Sequence, residues 1–223
     1  MSFLDRLTGR DVELEQLLAA YPIVTWPHAG MGTDLSAEQR DENLDWLVAV
    51  KADRIEVLTV FLTRLGLSLP SPGATGLDPQ TVSAGLDELA KRRFIRMPDF
   101  EASCAFAWRR RAANGRDATT RSVAIDLGIY LGECATHASE PFAWRIGESR
   151  YRPANMPMTA GEVVISKVST LGPKPMRVDL DVIDWSVFAV WDIVRRRKQK
   201  SFWKPNHFEF LIPLLANRYG VRP

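Results

Sequence analysis

The segment over residues 120–138 constrains the fold most, because apolar and small side chains cover most of its circumference when it is drawn as a helix. At 100° per residue one side carries Val123, Leu127, Leu131, Cys134 and Ala138, with Ala124, Gly128, Gly132 and Ala135 beside them. Each glycine costs about 1 kcal/mol in a helix, so the Gly128/Gly132 pair predicts close packing against another element. The sequence therefore predicts a central, largely buried helix.

A single polar stripe interrupts this helix at spacings of four, three and four residues. It consists of Asp126, Tyr130, Glu133 and His137. A buried carboxylate needs a hydrogen-bonding or charged partner. The candidate partners nearby in sequence are Arg121, Arg145 and Arg150. Our first interpretation is that the stripe is structural and orients the helix through such partners.

The alternative interpretation of the stripe is catalytic or metal-binding. Glu133 and His137, four residues apart, would then act as metal ligands or as an acid/base pair. A metal site normally needs further ligands, and only His28 and His207 remain as histidines. We therefore expect no metal site, and Cys134 is predicted to be a small buried side chain because it lies on the apolar side.

The N-terminal part of the chain is predicted to be helical. A short helix over residues 11–20 precedes Pro22, and a long one begins after an N-cap at Ser36 and ends before Gly66. The long helix has an apolar stripe of Leu44, Leu47, Val48, Ile55, Leu58, Leu62 and Leu65, and a polar side of Asp41, Glu42, Asp45, Asp53 and Glu56. Turn-forming residues over 68–76 predict a connector, and further helices follow over 78–93 and 100–113.

The C-terminal half introduces strands. Residues 144–146 and 163–168 are typical of short strands, and helices are predicted over 181–200 and 208–219. The fold class that follows is α+β, predominantly helical, with a small β-sheet in the C-terminal half. We expect one domain over 1–223; the alternative is a helical subdomain over 1–70 joined to an α+β part over 77–223.

Composition and motifs exclude several function classes. The formal net charge of +2 provides no global field toward nucleic acid or anionic lipid. Apolar windows fall short of the about 20 residues that span a bilayer, and no basic and apolar leader opens the chain, so we expect a cytoplasmic protein without a membrane partner. Nucleotide-binding, hydrolase and zinc-protease motifs do not occur in the sequence. No cofactor and no catalytic residue is predicted.

Two surface features are candidates for binding. On the helix over 181–200, Asp181, Trp185, Phe188 and Asp192 share one sector, which is typical of a protein interface, although large aromatics also fill cores. At its end stands a basic run of Arg195, Arg196, Arg197, Lys198 and Lys200. This run is a nucleic-acid candidate, but cations in the last turn of a helix also complement its dipole.

The residues Asp126, Gly128, Tyr130, Gly132 and Glu133, followed by Trp144 and the strand over 163–168, form a short pattern. It resembles a pattern in uncharacterised bacterial proteins, some of which are similar to immunity proteins of polymorphic or contact-delivered toxin systems. The resemblance covers about a fifth of the chain and implies no catalytic residues. It implies instead a protein partner, namely a toxin or effector domain.

Two functional hypotheses follow from the sequence. The first is a non-enzymatic, cytoplasmic protein-binding protein, specifically a bacterial immunity protein that neutralises a cognate toxin. The second is an enzyme or a nucleic-acid-associated protein that uses Asp126, Glu133 and His137, or the basic run from Arg195. The sequence predicts neither the identity of the partner nor the oligomeric state.

Overall fold

The computed structural model describes residues 12–74, 80, 82–86, 93, 116–138, 142–148, 159–169 and 176–196. The helices predicted over 100–113 and 208–219 lie outside these ranges, as do Arg197, Lys198 and Lys200. Residues 82–86 are helical, in agreement with the helix predicted over 78–93.

The first two helices begin and end where the local sequence predicts. Helix α1 (Val12–Ala19) is followed, after a 3-10 turn, by helix α2 (Ala37–Arg64). The Ser36 hydroxyl accepts a hydrogen bond from the Gln39 amide at 3.3 Å, and the Gln39 side chain accepts one from the Ser36 amide at 3.0 Å. This capping box satisfies two amides that the first turn leaves unpaired. Gly66 follows the end of α2 with φ +80°, a conformation that favours glycine.

Helix α2 is amphipathic, with one difference from the predicted stripe. Its five predicted polar-side carboxylates are exposed, and Leu47, Leu58 and Leu62 are buried. Val48, which was predicted to belong to the apolar stripe, is instead 48% exposed. Val48 stands about 100° from Leu47 around the helix, and it therefore lies outside the part of the surface that α2 buries around Leu47.

Helix α3 (Arg116–Ala138) is the central element, as predicted, and residues 118–135 are all buried. Its two glycines admit two different neighbours. A Cβ on Gly128 would lie 2.5 Å from the Ile183 Cα, and a Cβ on Gly132 would lie 2.2 Å from Cζ2 of Trp144. The predicted close packing is therefore confirmed at both positions, against a helix backbone and against an indole ring.

The described strands form one antiparallel sheet, in which their spatial order follows their order along the chain. They are β1 (Ala143–Ile146), β2 (Val163–Ser169) and β3 (Met176–Leu180). Trp144 pairs with Ile165, which pairs in turn with Leu180. The sequence predicted the first two strands but not the third. The five residues of β3 alternate apolar and charged side chains, which is the signal that would have identified it.

Helix α4 (Val182–Arg196) follows β3 and packs against α3. The structure thus has an α+β fold that is dominated by helices, with a small sheet in the C-terminal half. Buried side chains from α1, α2, α3, the sheet and α4 belong to one core cluster that extends from Leu14 to Val190. The division into 1–70 and 77–223 stays a prediction. Among the described helices, none is both long enough and apolar enough to cross a membrane.

Candidate functional site

The polar stripe of α3 faces α2, where its first carboxylate is fully paired. The Asp126 side chain is completely buried, and Arg54 donates to it through Nε at 2.8 Å and through Nη2 at 2.5 Å. The hydroxyl of Tyr21, just beyond the end of α1, donates to Oδ2 of Asp126 at 2.6 Å. Arg54 also donates to the Pro22 carbonyl oxygen at 3.0 Å. One carboxylate therefore connects α1, α2 and α3.

Burial and charge shift the pKa of Asp126 in opposite directions. Burial raises the pKa of Asp126 to about 6, against the hydrogen bonds and charge of Arg54 and the hydrogen bond from Tyr21, which lower it. Burial and the neighbouring Asp126 raise the pKa of Tyr21 well above its ordinary value. The phenol therefore stays protonated and remains a donor. A bidentate arginine with a further donor is the arrangement that compensates a buried carboxylate.

The second carboxylate of the stripe, Glu133, lies about two turns further along α3. Its Oε1 accepts a hydrogen bond from Lys51 Nζ at 2.8 Å and another from Trp144 Nε1 at 2.6 Å. Lys51 precedes Arg54 on α2, whereas Glu133 follows Asp126 on α3, so the two helices run in opposite directions at this contact. Trp144 belongs to β1, so Glu133 ties the sheet to both helices.

The remaining members of the stripe do not complete a catalytic group. The Tyr130 hydroxyl donates to the Pro70 carbonyl oxygen at 2.9 Å. His137 is exposed, and its Nδ1 lies 2.9 Å from the main-chain oxygen of Glu133 rather than from the carboxylate. Because a carbonyl only accepts, Nδ1 is the protonated nitrogen in this contact. The proposed acid/base pair of Glu133 and His137 is therefore not assembled.

Cys134 is completely buried, as predicted, and burial raises the pKa of its thiol to about 12. A thiol with this pKa stays protonated at neutral pH and is not a nucleophile. No three His, Cys, Asp or Glu side chains of the described residues lie close enough together to hold a metal ion. The geometry of the stripe favours the structural interpretation.

The sequence did not identify the true partners of the stripe. Arg121, Arg145 and Arg150 were predicted. Arg150 lies outside the described residues, and the cations observed to pair with Asp126 and Glu133 are Arg54 and Lys51. These partners stand 72 and 82 residues away along the chain. Distance along the chain does not identify an ion-pair partner that lies on a different helix. The available signal was that Lys51 and Arg54, three residues apart, are cations on a helix with a mostly acidic surface.

The predicted interface residues of α4 lie in different environments. Asp181 is buried, and its carboxylate accepts a hydrogen bond from the Asp184 amide at 2.9 Å, so it caps the helix rather than facing a partner. Trp185 is half-buried and packs against the core. Phe188 is 47% exposed, whereas Asp192 is half-buried. Arg195 and Arg196 stand in the last turn of α4.

Comparison of the chain with protein-family models, with curated proteins and with solved structures gives no match. The resemblance to toxin-immunity proteins therefore stays a prediction.

Proposed function

We propose that this chain is a non-enzymatic protein-binding protein whose partner is a toxin or effector domain, as the sequence resemblance implies. The support from chemistry is that each carboxylate of the α3 stripe is engaged within the fold. Arg54 and Tyr21 occupy Asp126, while Lys51 and Trp144 occupy Glu133. The polar stripe, which was the strongest catalytic candidate in the sequence, therefore makes contacts that hold the helices together. This supports a function that uses the protein surface.

The observation that carries the proposal is the exposure of Phe188 on α4. This side chain is 47% exposed, and its ring centroid lies 5.1 Å from that of Trp191. Exposed large aromatics are typical anchors of protein interfaces, where they fill a pocket of the partner. Of the four residues predicted on this helix, Phe188 is the one that the fold leaves available in this way.

The test combines partner affinity with thermal unfolding. A partner is first isolated by pull-down from the native host, and its affinity is then measured for the wild type, Phe188→Ala and Trp185→Ala. Truncation of a hot-spot aromatic weakens binding by about 2 kcal/mol or more, and we expect this for Phe188→Ala with an unchanged melting temperature. Trp185→Ala is the matched control, and it should lower stability because Trp185 packs against the core.

Two results would contradict the proposal. One is a Phe188→Ala variant that loses several kcal/mol of stability, which would assign this ring to the core. The other is unchanged affinity in a Phe188→Ala variant that remains fully folded. Recovery of nucleic acid rather than protein from the pull-down would instead favour the hypothesis that the basic run from Arg195 binds nucleic acid.

A further inference from the structure

A pocket between α1 and α2 has the shape and chemistry of a helix-docking groove. Its volume is about 390 Å³. From α1 and the turn after it, the pocket is lined by Leu17, Ala20, Tyr21 and Pro22. From α2 it is lined by Asp53, Glu56, Val57, Val60, Phe61 and Arg64.

The α2 side of this groove follows the spacing of a helix-packing stripe. Its members recur at intervals of three and one along the chain, from Asp53 to Arg64. Eleven intervals at 1.5 Å give a length of about 16 Å, which corresponds to about three helical turns. Val60, in the middle of this stripe, is 49% exposed. A third helix could therefore pack its ridges against α1 and α2 at this position.

The charge around the groove identifies the kind of helix that fits. Arg54 and Lys51 point inward to Asp126 and Glu133, so they do not neutralise the carboxylates on the outer side of α2. Arg64 is exposed at one end of the groove, whereas Asp53 and Glu56 are both exposed at the other end, so the lining carries one more negative charge than positive charge. Basic side chains placed there gain a complementary charge, while the apolar floor takes up the apolar face of the incoming helix.

We infer that this groove docks a basic amphipathic α-helix of a partner protein. The groove is separate from Phe188 on α4, so this inference goes beyond the proposed function. If the inference fails, the proposed function is not affected. Tyr21 contributes its ring to the floor while its hydroxyl stays bonded to Asp126. Tyr21 is thus held in place by the buried ion pair beneath it, which favours a pre-formed floor.

The probes for the test are two synthetic amphipathic helices of about 18 residues, one built from leucine and lysine and the other from leucine and glutamate. Binding of each labelled peptide is measured by fluorescence anisotropy. We expect the leucine–lysine peptide to bind the wild type at least about tenfold more tightly than its acidic counterpart. Asp53→Asn with Glu56→Gln should weaken that binding about tenfold, and Val60→Lys, which places a like charge on the apolar floor, should do the same.

The matched control is Asp41→Asn with Asp45→Asn, which removes two exposed carboxylates from the same helix outside the groove. We expect this control and Phe188→Ala to bind the peptide as the wild type does. Equal binding of the two peptides, binding of neither, or equal weakening by the control pair would overturn the inference. Self-association that Val60→Lys abolishes would assign the groove to a second copy of the chain. A large fall in melting temperature for Val60→Lys would assign it to the chain's own packing.

Discussion

Asp126 and Arg54 form a bidentate ion pair, with distances of 2.8 and 2.5 Å, in the contact between α2 and α3. The Asp126 side chain is completely buried, and that of Arg54 is 11% exposed. A pair this deep compensates its own desolvation only while both members are present. The ion pair therefore links the two longest described helices, and its disruption should be costly.

Arg54→Met is expected to destabilise the protein by about 3–5 kcal/mol, because it leaves Asp126 buried without its counter-charge. Asp126→Asn should also destabilise it, but the double variant should lose clearly less than the sum of the two single losses. Urea unfolding of all four proteins measures this coupling. Lys51→Met is the matched control. Its loss should be smaller, because Lys51 is 28% exposed and Glu133 keeps its hydrogen bond from Trp144.

The fold was predictable from the sequence to the extent that local signals decide it. The apolar circumference of residues 120–138 predicted the buried helix α3, and Ser36 with Gly66 predicted the ends of α2. The partners of Asp126 and Glu133 were not predictable, because they depend on how α2 packs against α3. Helical periodicity shows which side chains share a face, and it carries no information about which helix that face meets.

The contrast between local signals and tertiary packing also explains why the residues predicted to form an interface on α4 lie in different environments. Phe188 lies on α4 as predicted, whereas Asp181 immediately precedes the first residue of α4 and caps the helix. A residue at the helix boundary has its side chain turned toward the free amides of the first turn, which a helical wheel does not represent. Exposure of Phe188 depends on tertiary packing alone.

Substitution of Gly132 tests the close contact between α3 and β1. A Cβ at this position would lie 2.2 Å from Cζ2 of Trp144, so Gly132→Leu is expected to destabilise the protein by about 1–3 kcal/mol or more through overpacking. Gly85→Ala is the matched control in a helical segment, because a Cβ there meets nothing within 4 Å. We expect the control to leave stability unchanged or to raise it by up to about 1 kcal/mol. Equal melting temperatures for wild type and Gly132→Leu would contradict the packing.

Acidification should weaken the contacts that Asp179 of β3 makes with Arg177 and with the Glu148 amide. Burial raises the pKa of Asp179, but hydrogen bonds from the Glu148 amide, Ser166 and Arg177, with the charge of Arg177, outweigh it and hold the pKa below its ordinary value of 3.8. A carboxylate whose pKa is lowered by folding stabilises the folded state at pH values above its unfolded-state pKa. This stabilisation is lost as the pH falls through the folded-state pKa. The stability difference between wild type and Asp179→Asn should therefore be largest above about pH 5 and shrink below about pH 4. Thermal unfolding across this range measures it, and a constant difference would contradict the assignment.

Asp181 caps the N-terminus of α4. The Asp181 carboxylate accepts a hydrogen bond from the Asp184 amide at 2.9 Å and is buried. Loss of an N-cap costs about 1 kcal/mol, so Asp181→Ala should lower the free energy of unfolding by about this amount or more. Asp181→Asn, which also caps helices well, is the control and should lose less. Partner affinity of the folded Asp181→Ala protein should stay unchanged, since Asp181 is only 1% exposed. An Asp181→Ala variant that is fully stable but binds its partner more weakly would show that Asp181 belongs to the interface.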